Sequence, residues 1–143
     1  MIILDTNVVS ELLRRTPNSS VEAWLSEQSG ADIYLTAISK AELRYGVAIM
    51  AKGKRQRMLA EAVDAILRED FRDRILSFDS EAADHYAKIA AGRRSDGRPI
   101  SQFDCQIASI ASAHRADVAT RNIDDFEGCG IKVLDPWRHT KRS

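Results

Sequence analysis

The amino-acid sequence predicts an α/β fold, a Rossmann-like parallel sheet of about five strands with helices on both faces. Five apolar runs are too short and too uniformly apolar to be half-exposed hairpin strands, and helical patterns fill the intervals between them. Strands that alternate with helices form mainly parallel sheets covered on both faces. The 143 residues show no internal repeat and no linker. We therefore predict a single domain over residues 1–143.

Local signals delimit the elements in order. The strands are predicted at Ile2–Leu4, Tyr34–Ile38, Arg74–Phe78, Val118–Thr120 and Ile131–Leu134. Apolar residues at helical spacing predict helices at Thr6–Arg15, Ser19–Gln28, Lys40–Met50, Lys54–Glu69, Ser80–Arg93 and Gln102–Arg115. Gly53 separates the third and fourth helices, and the stretch GRRSDGRP is typical of a loop before the sixth.

The composition and charge of the chain exclude several classes of protein. The chain is 44% hydrophobic and 29% charged, and its apolar runs are far shorter than a membrane span. Its first residues lack the pattern of a signal peptide, so we expect a cytoplasmic protein with no membrane partner. Net charge is zero, which argues against a uniformly basic nucleic-acid-binding surface. The charge is unevenly distributed, however: six basic residues and one acid lie between Lys40 and Arg57, a patch compatible with a polyanionic partner.

Acidic side chains fall where predicted strands give way to helices. Asp5 ends the first strand, Glu42 follows the second, Asp104 begins the sixth helix, and Asn122, Asp124 and Asp125 follow the fourth strand. Each acid has an alternative interpretation as a helix cap. Asp is a preferred N-cap residue, and Ser39 with Glu42 and Ser101 with Asp104 both fit the capping box. Capping, however, explains each acid separately and does not explain why acids from several strand–helix junctions should lie at one edge of the sheet.

A divalent metal ion would require that arrangement. Magnesium and manganese prefer oxygen ligands, usually one or two carboxylates together with water and substrate phosphate. Carboxylates crowded together without a cation repel one another. Such a metal site can polarise a phosphoryl oxygen and supply hydroxide near neutral pH. Acids at the centre and basic residues at the rim suit the cleavage of a phosphodiester backbone.

Four blocks of sequence together resemble a known family. They are IILDTNVVSELL, LTAISKAELRYGV, SQFDCQIASIASAH and VATRNIDDFEGCGIKVLDPW. In this order and spacing they resemble a PIN-domain ribonuclease, and in particular the VapC-type toxins of bacterial type II toxin–antitoxin pairs in the FitB-like subgroup. The resemblance covers nearly the whole chain. It implies the PIN-domain architecture, dependence on Mg²⁺ or Mn²⁺, and endonucleolytic cleavage of RNA.

The resemblance also implies roles for individual residues. Asp5 and Asp104 would bind the metal most directly, and Glu42 would act as a ligand or hold a metal-bound water. The hydroxyls of Thr6 and Thr120 would orient these neighbours.

The fourth acid of the family falls on an amide here. Asn122 occupies that position, and an amide can neither act as an anionic ligand nor as a base. Asp125, three residues on, is the alternative fourth residue. The amide also leaves the site without the additional anionic ligand that a second, tightly held metal ion would need.

Partners follow from the resemblance as well. It implies an RNA substrate, a VapB- or FitA-like antitoxin that neutralises the toxin, contact with DNA only through that antitoxin, and a homodimer. Two other hypotheses compete. A phosphatase of the haloacid dehalogenase type needs an aspartate two residues after the first, where this chain has Asn7. A PIN-fold binding or interaction module with a weakened catalytic site is favoured only by Asn122.

Overall fold

The computed structural model describes residues 1–140 and contains one five-stranded sheet. The strands are β1 (Ile2–Leu4), β2 (Ile33–Thr36), β3 (Ile75–Leu76), β4 (Asp117–Ala119) and β5 (Val133–Leu134). They lie in the order β3-β2-β1-β4-β5, and every neighbouring pair is parallel. The parallel sheet of about five strands is therefore confirmed.

Six α-helices connect the strands. They are α1 (Thr6–Leu12), α2 (Ser19–Ser26), α3 (Ala37–Ala48), α4 (Lys54–Ala65), α5 (Ser80–Ser95) and α6 (Gln102–His114). A π-helical turn, Ile66–Asp70, continues α4, and short 3₁₀ turns occur at Gly30–Asp32, Ile123–Phe126 and Pro136–Arg138. Within residues 1–140, no helix has both the length and the apolar character needed to cross a membrane.

The helices cover both faces of the sheet because side chains alternate along each strand. Ile3 and Val118 point into a core shared with α5 and α6. Leu4 and Leu35 point into a second core formed with α1 to α4. All four side chains are fully buried. This three-layer packing explains why the strands are apolar along their whole length.

The start of the third helix differs from the prediction. The second strand ends at Thr36 and α3 begins at Ala37, three residues before the predicted start at Lys40. Thr36 is the N-cap, and its hydroxyl accepts a hydrogen bond of 3.1 Å from Ser39 N. The capping box of Ser39 with Glu42 is therefore wrong. Glu42 lies in the second turn of α3, where its carboxylate is not needed as a cap.

Strand order sets the position of the candidate site. From β1 the chain builds outward through β2 to β3, then crosses back by α5 and α6 to β4 on the other side of β1. Ligands of open parallel sheets bind where the order reverses, outside the carboxyl ends of the strands. Leu4 is paired with Ala119 in register, and Asp5 N donates to Ala119 O over 2.9 Å. Asp5 and Thr120 are consequently side by side at this edge.

Candidate active site

Asp5 both caps α1 and faces the edge of the sheet. One carboxylate oxygen, Oδ1, accepts a hydrogen bond of 2.8 Å from Thr6 N, so the capping interpretation is correct. The other, Oδ2, accepts from Thr120 Oγ1 over 2.8 Å and from Asn7 Nδ2 over 3.1 Å. The side chain is only 6% exposed. Capping and participation in a site are therefore not exclusive for this residue.

Thr120 and Asn7 form a fixed support for Asp5. The hydroxyl of Thr120 is fully buried, and besides donating to Asp5 it accepts from Asn7 Nδ2 at 3.2 Å and from Asn122 N at 3.0 Å. The side-chain amide oxygen of Asn7, Oδ1, accepts from Arg121 N at 3.3 Å. This network locks the Asp5 rotamer and ties the loop after β4 to the first turn of α1.

Glu42 joins the site through Thr6. Thr6 Oγ1 lies 2.9 Å from Glu42 Oε1 and 2.8 Å from the hydroxyl of buried Ser39. A hydroxyl carries one proton, and a carboxylate is the stronger acceptor. Thr6 therefore donates to Glu42, and Ser39 can donate to Thr6. Thr6 and Thr120 thus each donate a hydrogen bond to one of the candidate acids, and their orienting role stays a prediction.

Burial and neighbouring acids disfavour the ionised form of Asp5. Loss of hydration raises its pKa from 3.8 to about 6, with smaller contributions from the negative charges of Asp104 and Glu42. The hydrogen bonds from Thr120 and Thr6 N act in the opposite direction. Asp104 and Glu42 are thus close enough to Asp5 to affect its ionisation electrostatically.

Asp104 lies in the first turn of α6, half-buried. Ser101 is the N-cap of α6, and its hydroxyl accepts from Asp104 N at 3.2 Å. Burial raises the pKa of the Asp104 carboxyl, and the charge of Asp125 raises it further, while Arg93 opposes both. Asp125 therefore lies on the Asp104 side of the site.

The structure places Asn122 and Asp125 differently. The backbone N–H of Asn122 donates to the hydroxyl of Thr120. Asn122 directly precedes the 3₁₀ turn Ile123–Phe126, and its side chain is exposed. Asp125 lies within that turn, and its side chain is also exposed. Which of the two acts as the fourth residue stays a prediction, because position alone does not assign the role.

Sequence reasoning missed two residues that organise the site. Asn7 is one of them: it follows Asp5 by two residues and so lies in the first turn of the helix that Asp5 caps. Arg93 is 6% exposed and donates to the backbone carbonyls of Arg98 at 2.6 Å, Asp125 at 2.9 Å and Glu127 at 2.7 Å. It holds the loop that carries Asp125, and no local pattern in the sequence indicates this.

The donor set fits a hard divalent ion held loosely. Within residues 1–140, no three His, Cys, Asp or Glu side chains converge closely enough to enclose a metal ion. Magnesium and manganese accept one or two carboxylates and keep several waters. A carboxylate whose pKa is raised by burial, and further by nearby acids, gains from such a cation.

Asp5, Glu42 and Asp104 thus lie at the point of strand reversal, where enzymes built on open parallel sheets bind their ligands. The family comparison agrees with the fold: the model of the PIN domain matches residues 2–129. The chain belongs to the PIN domain family. The predicted resemblance is confirmed.

Similar proteins extend the match over nearly the whole chain. Identity is 44% to the plasmid stability protein StbB of Pseudomonas syringae pv. tomato and 42% to the toxin FitB of Neisseria gonorrhoeae, each alignment covering 96% of this chain and 99% of the relative. The VapC ribonuclease Y4jK of Sinorhizobium fredii is 39% identical, over 96% of this chain and 98% of that protein.

A solved structure shares the fold. The structure of FitAB bound to an IR36 DNA fragment includes a chain that matches with a TM-score of 0.92 and 40% identity, covering 100% of both chains. The resemblance to the FitB-like subgroup is thereby confirmed.

Proposed function

We propose that this chain is a metal-dependent endoribonuclease, the toxin of a toxin–antitoxin pair, which a cognate antitoxin neutralises. The observation that carries the proposal is that Asp104 and Glu42 lie near enough to buried Asp5, at the carboxyl edge of the sheet, to raise its pKa. A buried carboxylate kept beside two other acids destabilises the protein by itself. A cation bound there would offset the repulsion between the carboxylates and would activate water for hydrolysis.

Mg²⁺ or Mn²⁺ is the proposed cofactor. When bound, such an ion polarises the phosphoryl oxygen and lowers the pKa of a coordinated water. Asp5 and Asp104 are the residues that would hold it. Glu42, oriented by the Thr6 hydroxyl at 2.9 Å, is placed to hold a water and accept its proton.

The residues around the acids maintain their geometry. Thr120 and Asn7 donate to the same oxygen of Asp5, so the other oxygen keeps the helix cap while the carboxylate stays in one rotamer. This preorganisation avoids rearrangement during the reaction, which is the principal way a protein scaffold assists phosphoryl chemistry.

The names of relatives support the substrate and the partner. One relative is named a VapC ribonuclease and another a toxin, and the matching solved chain comes from a FitAB complex bound to DNA. We extend these to the present chain as an RNA substrate, a FitA- or VapB-like antitoxin, and DNA contact through that antitoxin.

The test combines cleavage with a matched variant. Purified wild-type protein should cleave total cellular RNA in the presence of Mn²⁺, and Asp5→Asn should not. Asp32→Asn, which removes an exposed carboxyl just before β2 at the opposite edge of the sheet, should cleave like wild type. Sequencing the new 5′ ends would identify the RNA.

The same experiment decides between this proposal and a catalytically weakened binding module. Expression of wild type should arrest growth, and Asp5→Asn should relieve the arrest. If both proteins leave RNA intact and arrest growth equally, the chain is not acting as a nuclease.

A further inference from the structure

A polar cavity of about 340 Å³ opens beside the acids, at the same edge of the sheet. It lies between the loop after β4 and the turn Pro136–Arg138 after β5. Two arginines, three aspartates and an asparagine line it: Arg121, Arg138, Asp124, Asp125, Asp135 and Asn122. The volume is at the lower end for ligand sites, suited to a group the size of one nucleotide.

Arg121 is held in place on the wall of this cavity. Its guanidinium carbon lies 5.3 Å from the centre of the Trp137 ring, a cation–π contact. A stacked guanidinium keeps its in-plane N–H groups free to bind phosphate oxygens in a forked geometry. The backbone N–H of Arg121 bonds Asn7, which in turn bonds Asp5, so the cation is tied to the catalytic network.

The second arginine belongs to a braced turn. Arg138 Nε pairs with Asp135 at 3.4 Å, and the same aspartate accepts from Trp137 N at 2.9 Å. Asp135 therefore contacts Arg138 and fixes the backbone of the turn that presents Trp137. The arginine itself is 84% exposed, so its terminal nitrogens face solvent and can reach an incoming anion.

The remaining acids make one side of the cavity negatively charged and rich in hydrogen-bond acceptors. Asp124 and Asp125 lie in the turn beside Asp104, where a bare phosphate would be repelled. They can instead accept hydrogen bonds from ribose hydroxyls or from the amino groups of bases. An occupant complementary to both sides carries an anionic group at one end and hydrogen-bond donors at the other.

We propose that this cavity is a subsite for one ribonucleotide of the RNA substrate, adjacent to the bond that is cut. Arg121, stacked on Trp137, and Arg138 contact its phosphate, while Asp124 and Asp125 accept hydrogen bonds from its ribose hydroxyls. The proposal rests on the nuclease function proposed above. Inorganic phosphate lacks the sugar and DNA lacks the 2′-hydroxyl, so both should bind less well than a ribonucleotide.

The experiment measures RNA binding without cleavage. In the Asp5→Asn background, fluorescence anisotropy follows a short labelled RNA of random sequence and a DNA of the same length. Adding Arg121→Gln should weaken RNA binding roughly tenfold, as expected for loss of a charged hydrogen bond, and should lower the slope of log affinity against log salt by about one. Trp137→Leu should weaken binding, and Trp137→Phe should restore it.

A matched control separates this subsite from general electrostatics. Arg15→Gln removes an exposed arginine beyond the far end of α1, so it should change the affinity less than twofold, consistent with a screened distant charge. In the wild-type background, Arg121→Gln should raise KM for RNA and leave kcat nearly unchanged.

The outcomes discriminate between the two proposals. If wild type cleaves RNA and Arg121→Gln changes neither affinity nor KM, the subsite is wrong and the nuclease function stands. If DNA binds as tightly as RNA and loses as much on Arg121→Gln, the site reads phosphate alone and the ribonucleotide assignment is overturned. If wild type neither binds nor cleaves RNA, both proposals fail.

Discussion

Replacing Asp5 by Asn should stabilise the metal-free protein at neutral pH while it abolishes cleavage. Burial raises the pKa of Asp5 from 3.8 to about 6, so the folded state holds a proton that the unfolded state releases at lower pH. Below the pKa of 3.8 that Asp5 has in the unfolded state, its carboxyl is protonated in both states and does not lower the free energy of unfolding. The loss of stability grows as the pH rises from 3.8 towards the folded-state pKa of about 6 and is complete above that value. At its plateau it corresponds to roughly 3 kcal/mol.

Asn at this position keeps part of the hydrogen bonding. Its carbonyl oxygen can accept from Thr6 N, but its amide nitrogen would face two donors, the amide nitrogen of Asn7 and the hydroxyl of Thr120. We assign roughly 1 kcal/mol to each of these two lost bonds. The variant should therefore be more stable than wild type by roughly 1 kcal/mol at about pH 7.5, and less stable by roughly 1 kcal/mol at about pH 4.5.

Urea unfolding in a chelating buffer at these two pH values measures the difference directly. Other groups titrate in both proteins and cancel in the comparison. Asp32→Asn controls for the removal of one negative charge. An Asp5→Asn protein no more stable than wild type near neutral pH, or a difference in stability that is the same at both pH values, would refute this prediction.

Three further predictions concern the metal, the fourth residue and the loop. Mn²⁺ should raise the melting temperature of wild type in a saturable way, adding roughly 1.4 kcal/mol at ten times its dissociation constant; no shift, with full cleavage in chelator, would contradict a metal site. Asn122→Asp should tighten Mn²⁺ binding and raise cleavage at limiting metal, whereas near-total inactivation by Asp125→Ala with a normal fold would identify Asp125 as the fourth residue. Arg93→Met should lower the free energy of unfolding by roughly 3 kcal/mol or more, because backbone carbonyls lose charged donors. Arg93→Lys should recover part of that loss, and urea titration showing no loss in Arg93→Met would exclude the role.

The sequence alone determined the order of the elements and the acids at their ends. Apolar runs and helical spacing are local properties, so all five strands and six helices could be located, although several boundaries move by a few residues. The position of Asp5 as an N-cap could be recognised for the same reason. The grouping of Asp5, Glu42 and Asp104 at one edge followed from the parallel sheet, since its carboxyl ends all face the same way.

Only the tertiary structure decided which side chains bond to one another. Asn7 meets Thr120 because β1 lies beside β4 with Leu4 opposite Ala119, and local patterns do not specify strand order or register. Arg93 was predicted as the last residue of a helix, and the fold buries it against carbonyls more than thirty residues away. Helix α3 starts at Ala37 because Thr36 is its N-cap in place of Ser39, and the sequence offers both residues as caps. Contacts between distant segments form when the whole chain packs, and their energies exceed the local preferences that a sequence displays.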